Sequence, residues 1–253
     1  MPHMKTVRIA MCQILCLDGD RRGNFVRIEN AIREAKDDGA DIACLPETAL
    51  LGWVNPEAHK RACAIPGSDS DRLCKLAKDC GIHLCAGLAE KDGKRLYDSA
   101  LLIDSTGQIL LKHRKINLLS KLMSPPYTAG DSVKAVETAF GRIGLLICAD
   151  THEDKILERM VALEPDLLLV PYGYAEAEDA WPQHGKVLEK VVTHTAKKTG
   201  SFVVGTNLVG ETTHGPWKGR VFGGQSVAAD ETGRIVAVAR DRERDIHVVV
   251  WQV

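Results

Sequence analysis

Gly144-Leu145-Leu146-Ile147-Cys148-Ala149-Asp150-Thr151-His152-Glu153 is an apolar run that ends in a cysteine and turns polar at once. A short apolar run of this kind reads as a buried strand, and its end would deliver a thiol to the mouth of a pocket. Two other stretches have the same form. Ile42-Ala43-Cys44-Leu45-Pro46-Glu47 ends in a carboxylate, and Ile109-Leu110-Leu111-Lys112-His113-Arg114-Lys115-Ile116 carries an ammonium near its end. A glutamate, a lysine and a cysteine at three strand ends form a constellation suited to thiol catalysis. Singly, none is diagnostic. A strand cysteine is more often an inert buried thiol, Glu47 alone is a surface carboxylate after a strand, and the basic run 112–115 is by default a solvated face.

Outward from these runs, the chain alternates short strands with amphipathic helices. Residues 6–13 alternate and predict a first strand. Helical spacing over 24–36 places Phe25, Ile28, Ala31, Ile32 and Ala35 on one face, and Asp37-Asp38-Gly39 ends it. A second helix is predicted over 68–80, with Ser68, Asp69 or Ser70 as its cap. Strands at 82–89, 97–103 and 109–115 form a meander around Asp92-Gly93 and Ser105-Thr106-Gly107. An irregular loop follows over 117–131, then a hairpin of 133–138 and 142–148, and a helix over 153–163. A buried strand at 166–170, a long helix over 183–198 and four strands (202–206, 225–229, 235–239, 246–251) complete the order. Strand–helix–strand–helix–strands, and then much the same again, predicts an α/β fold of two packed sheets with helices outside, as a single domain over 1–253.

Bulk composition narrows the function. The chain has 253 residues, 45% hydrophobic and 26% charged, with a formal net charge of -1. That balance gives no reason to expect nucleic acid or an anionic membrane as partner. No apolar run approaches the ~18 residues of a membrane-spanning helix. The apolar stretch 9–17 is broken by Gln13 and followed by Asp18, Asp20, Arg21 and Arg22, so it reads as a strand and not a signal peptide. Eight cysteines without a C-x-x-C pair suggest reduced thiols in a cytoplasmic protein. His152-Glu153 lacks a second histidine at metal spacing, so no metal is expected. His184 and His194, ten residues apart, read as surface or packing residues. Tyr172, Tyr174 and His152 follow strand ends and are candidates to line a pocket.

Three motifs in order change the weight of the trio. Leu45-Pro46-Glu47-Thr48 with Gly52-Trp53, then His113-Arg114-Lys115-Ile116-Asn117-Leu118, then Gly144 to Asp150, resemble the nitrilase superfamily of carbon–nitrogen hydrolases. Thr128-Ala129-Gly130-Asp131, residues 204–210 and Gly224-Gln225-Ser226 extend the resemblance over nearly the whole chain. It implies a four-layer αββα sandwich and a homodimer formed through a helix face near the cysteine. It also implies a cofactor-independent enzyme acting on a small-molecule amide or N-carbamoyl substrate.

By the same resemblance Glu47 is the general base, Cys148 the nucleophile and Lys115 an oxyanion stabiliser. Ala149, with its backbone N–H, is expected to help hold the substrate beside His152, Tyr172 and Tyr174. Ala149-Asp150 after the nucleophile, where true nitrilases carry tryptophan and glutamate, leans toward an amidase or carbamoylase. One departure stands out. A second glutamate common in the family falls near Met123 here, and Asn117 to Ala129 holds no acidic residue. Either another residue substitutes for it, with Glu153 and Tyr127 as candidates, or the substrate is unusual, or activity is impaired. The alternatives are a catalytically weakened or regulatory member, nitrile hydrolysis, or acyl transfer.

Overall fold

The computed structural model describes residues 6–252. Its elements run β1 (Thr6–Gln13), α1 (Arg21–Asp37), β2 (Ile42–Cys44), α2 (Ala58–Arg61), α3 (Ser68–Cys80), β3 (His83–Asp92), β4 (Arg95–Ile103) and β5 (Ile109–Arg114). The second half continues with β6 (Ala135–Thr138), β7 (Gly141–Leu145), α4 (Asp154–Val161), β8 (Leu167–Pro171), β9 (Ala175–Glu176), α5 (Gly185–Thr199) and β10 (Phe202–Thr206). The chain then closes with β11 (Val209–Glu211), β12 (Val221–Gly223), β13 (Val227–Ala229), β14 (Ile235–Val238) and β15 (Asp245–Gln252).

The two large sheets are built alike. The first has the order β15-β1-β2-β3-β4-β5, the second β14-β13-β10-β8-β7-β6. In the first, β1, β2 and β3 run parallel, with β15 antiparallel on one side and β4 and β5 on the other. The second repeats the scheme: β7, β8 and β10 are parallel, flanked by antiparallel β6 and by β13 and β14. This is the physical content of the repeated element order in the sequence.

Alternation along the strands sorts the core. On β1, Val7, Ile9 and Met11 pack with Leu145, Leu168 and Val203 between the sheets. Ala10 and Cys12 turn the other way, onto Phe25, Ile28 and Ile32 of α1 and Leu73 and Ala77 of α3. Leu157 of α4 and Leu188 and Val192 of α5 join the inter-sheet cluster from the second sheet's side. The result is the αββα sandwich.

Helix ends differ from expectation for local reasons. Helix α1 starts at Arg21, because Asp20 caps it by accepting a hydrogen bond from Gly23 N at 3.0 Å. None of Ser68, Asp69 or Ser70 is the N-cap of α3. That residue is Gly67, whose N–H donates to Ser70 Oγ at 2.9 Å. The predicted strand over 142–148 stops at Leu145, since the chain turns to place Cys148. The three-stranded sheet β11-β12-β9 and the short α2 went unpredicted, because two to four residues carry no readable period. All eight cysteines are free thiols. Among the described residues no helix is long and apolar enough to cross a membrane.

Candidate active site

Glu47 lies three residues beyond β2, held by its N–H donating to Tyr172 O at 3.3 Å. Strand β3 passes close behind it. A Cβ at Gly87 would sit 2.6 Å from Pro46 O and 2.8 Å from Glu47 Cα, so only glycine allows that approach. Lys115 follows β5. Its N–H donates to Asp98 O, and its carbonyl accepts from Gly130 N, both at 2.8 Å. A Cβ at Gly130 would lie 2.2 Å from Arg114 O, which explains the glycine in Thr128-Ala129-Gly130-Asp131.

The basic run is not a solvated face. Lys112 and Arg114 point one way, to the buried Glu90, each at 2.6 Å. His113 and Lys115 point the other, toward the second sheet, as the two-residue period requires. His113 Nε2 lies 2.7 Å from Asp150 Oδ2.

Cys148 opens a single tight turn, Cys148–His152, with φ at +42°, a conformation that costs a non-glycine residue roughly 1–3 kcal/mol. Asp150 holds that turn. Its Oδ1 accepts from the N–H groups of Ile116 at 2.9 Å and Asn117 at 2.8 Å, and its Oδ2 from Ile147 N at 3.1 Å. One carboxylate therefore ties the cysteine turn to the backbone immediately after Lys115.

The expected trio comes together in the interior, with Glu47 0%, Lys115 4% and Cys148 4% exposed. Lys115 Nζ is paired with Glu47 Oε1 and lies 3.6 Å from Asp98 Oδ2. Glu47 Oε2 has no hydrogen-bond partner in the protein. A Cβ at Gly173 would lie 2.9 Å from that oxygen and 2.5 Å from Trp53 Cδ1, so this glycine keeps room beside it.

Burial is the main force raising the Cys148 thiol well above its usual range. The Glu47 charge adds to it, and Lys115 opposes both without reversing them. The resting thiol is thus protonated, and attack needs a base. For Lys115, burial alone would favour the neutral amine, but Glu47, Cys148 and Asp98 together hold the ammonium well above its usual value.

A cavity of about 300 Å³ opens at Cys148. Ala149, His152 and Tyr174 line it as the sequence suggested. Tyr172 does not: it is 0% exposed, and its hydroxyl sits 2.9 Å from Thr151 Oγ1 behind the cysteine turn. Two aromatic groups form much of the wall. Trp53 packs on Trp217 at 5.6 Å, and Tyr174 stacks between His152 at 6.3 Å and His184 at 4.9 Å. Burial, the largest cause in each case, pulls both imidazoles below their usual value, so they are neutral at pH 7. Among the described residues no group of three His, Cys, Asp or Glu side chains is placed to hold a metal ion.

A family model for carbon-nitrogen hydrolases matches residues 8–252. The chain belongs to that family. Human ω-amidase NIT2 is 30% identical to this carbon–nitrogen hydrolase over 200 residues, 74% of this chain and 70% of the relative. Tobacco bifunctional nitrilase/nitrile hydratase NIT4A is 27% identical over 223 residues, 80% of this chain but only 61% of the relative's length. Among solved structures, an amidase of the nitrilase superfamily from Nesterenkonia superposes with a TM-score of 0.82 at 22% identity, covering 98% of this chain and 90% of that one. That likeness corroborates the αββα sandwich.

Several site residues of this carbon–nitrogen hydrolase were not found from sequence. His184, read as a surface or packing residue, reaches the cavity because the short segment before α5 folds it onto Tyr174. Trp217 and Glu176 come from loops and a two-residue strand without periodicity. Of the two stand-ins for a second glutamate, Glu153 is exposed, whereas Tyr127 is buried beside Lys115. Asp98 had a readable signal: an acid inside the apolar strand Leu96 to Ile103.

Proposed function

We propose that the chain hydrolyses the C–N bond of a small, uncharged amide or N-carbamoyl compound through a Cys148 thioester, releasing ammonia. The observation that carries this reading is the unpartnered Glu47 Oε2 in a buried Glu47–Lys115–Cys148 cluster beside a cavity. Glu47 takes the thiol proton as Sγ attacks the carbonyl carbon. The negative charge on the carbonyl oxygen meets the Lys115 ammonium and the Ala149 N–H, which heads the turn and has no partner within it. Collapse breaks the C–N bond, and Glu47 returns the proton to the leaving ammonia. Water then attacks the thioester, giving a proton to Glu47. The C–S bond breaks, the acid departs, and the proton returns to sulfur.

The cavity wall supports an uncharged substrate with an apolar or aromatic group. Its histidines are neutral, and its single acid, Glu176, is paired with Arg220 at 3.0 Å. A substrate carboxylate would meet no lining cation and would lose its hydration uncompensated.

The test is ammonia release from a panel of neutral aliphatic and aromatic amides, ω-amides bearing a carboxylate, N-carbamoyl compounds and nitriles. The expected result is release from neutral amides, with kcat/KM about tenfold or more above carboxylate-bearing analogues of equal length, and none from Cys148→Ala. Release from nitriles alone would favour the nitrilase reading suggested by the tobacco relative. Release unaffected by Cys148→Ala would rule out the thioester.

The same reading includes a homodimer in the cytoplasm. Exposed Val161 of α4 and Val187 of α5, at 39% and 41% exposure, put apolar surface on the helix layer that follows the cysteine turn. Sedimentation at micromolar concentration is expected to give a dimer, and a monomer alone would contradict it.

A further inference from the structure

The geometry points to Asp98 as the second carboxylate of the site, the residue that positions Lys115 during catalysis. The inference rests on the proposed roles of Glu47, Lys115 and Cys148.

Asp98 alternates on β4 with Ala100 and Leu102, which belong to the core between the sheets. It is 2% exposed. An apolar residue would fill such a place without cost, whereas a buried carboxylate needs a partner. The cation it faces is Lys115, with Oδ2 3.6 Å from Nζ. The backbones are joined as well, through Lys115 N to Asp98 O, so the two side chains leave their strands as neighbours. Asp98 Oδ1 has no hydrogen-bond partner in the protein.

Glu47 cannot hold the ammonium alone through a reaction in which it carries the proton. When it accepts the thiol proton, it ceases to be an anion at the moment the oxyanion forms. A fixed carboxylate on β4 keeps Nζ in place through that step. Burial, and after it the charge of Glu47, pushes the Asp98 carboxyl well above its usual range. Protonation of Glu47 removes the second of these causes and shifts Asp98 toward its charged form beside the ammonium.

A cavity of about 20 Å³ is lined by Asp98, Lys115, Met123 and Tyr127. A carboxylate introduced at 123 would therefore enter the same space from another wall.

The experiment compares Asp98→Asn, Asp98→Ser and Asp98→Asn/Met123→Glu with the unaltered protein in two ways. On the amide that the unaltered protein turns over best, Asp98→Asn is expected to lower kcat about 10- to 100-fold with KM within about threefold, because the ammonium acts on the transition state. The added Met123→Glu is expected to restore at least about tenfold of the loss. The second measurement needs no turnover, so it separates this proposal from the functional reading. In protein with isotope-labelled lysine, the Lys115 ammonium, assigned by its absence from Lys115→Met, should give a slowly exchanging NMR signal. That signal should broaden in Asp98→Asn and return in the double variant. An unchanged signal in folded Asp98→Asn, or kcat within twofold, overturns the proposal. Failure of both single variants to fold assigns Asp98 to stability alone and overturns it equally.

Discussion

Lys115→Met is expected to abolish most turnover and to destabilise the fold by about 3–5 kcal/mol, the usual cost of stranding one side of a buried ion pair. The kinetic loss is about 100-fold or more, the typical effect of removing one oxyanion donor. The loss of stability follows from Glu47 at 0% and Asp98 at 2% exposure, which share this one ammonium. The effect has a pH signature. Burial and the neighbouring Glu47 charge already raise Asp98 above its unfolded value of 3.8. A carboxyl whose folded pKa is raised binds its proton more tightly in the folded state. Its contribution is therefore fully present below the unfolded value and is lost as pH rises through the folded one. Removing Lys115, which opposes that rise, makes the loss larger. Thermal unfolding at about pH 5 and about pH 8 should show a greater Tm deficit for the variant at the higher pH. An equal deficit at both would mean that the two carboxyls do not depend on Lys115.

Glu47→Gln is expected to lower kcat about 1,000-fold or more near neutral pH, within the range for loss of a general base. The reason lies in the thiol. Burial pushes Cys148 far above neutrality, so a variant lacking the base holds almost no thiolate. Its residual rate should then climb about tenfold per pH unit across the neutral and alkaline range, while the unaltered enzyme stays nearly flat. A Glu47→Gln rate that is independent of pH would show that the nucleophile is ionised without Glu47. Lys115 still has Asp98 beside it in this variant, so neither buried side chain is left alone and stability should fall less than in Lys115→Met.

How much of this was legible in the sequence depends on the scale of each feature. The helices α1, α3 and α5 and the strands β1, β4 and β10 announce themselves through hydrophobic period and apolar runs, while the N-caps of α1 and α3 fall elsewhere than expected. The candidate trio Glu47, Lys115 and Cys148 was legible because each member ends or follows a run with a recognisable neighbour pattern. The liners Trp217, Glu176 and His184 were not, since they come from segments with no period, placed by the packing of what surrounds them. Tyr172 illustrates the reverse. It follows a strand end like Tyr174 two residues later, yet it faces the interior and bonds Thr151. Residues two apart on a regular strand would share a face, but β8 ends at Pro171, so both tyrosines lie beyond it and the packing around the chain there decides which of them faces the cavity.

The sequence by itself determined two sheets with helices outside, and it singled out Glu47, Lys115 and Cys148 as the candidate reacting groups, because both are written in local patterns of residue type. Only the tertiary structure decided which charges share one space. Asp98, Lys115 and Glu47 come from three different places in the chain, on β4, after β5 and after β2. Their electrostatics depend on burial and on distances of a few ångströms, which the packing of the two sheets sets. The same packing, through Asp150 and its bonds to Ile116, Asn117 and Ile147, fixes where the thiol stands relative to the ammonium.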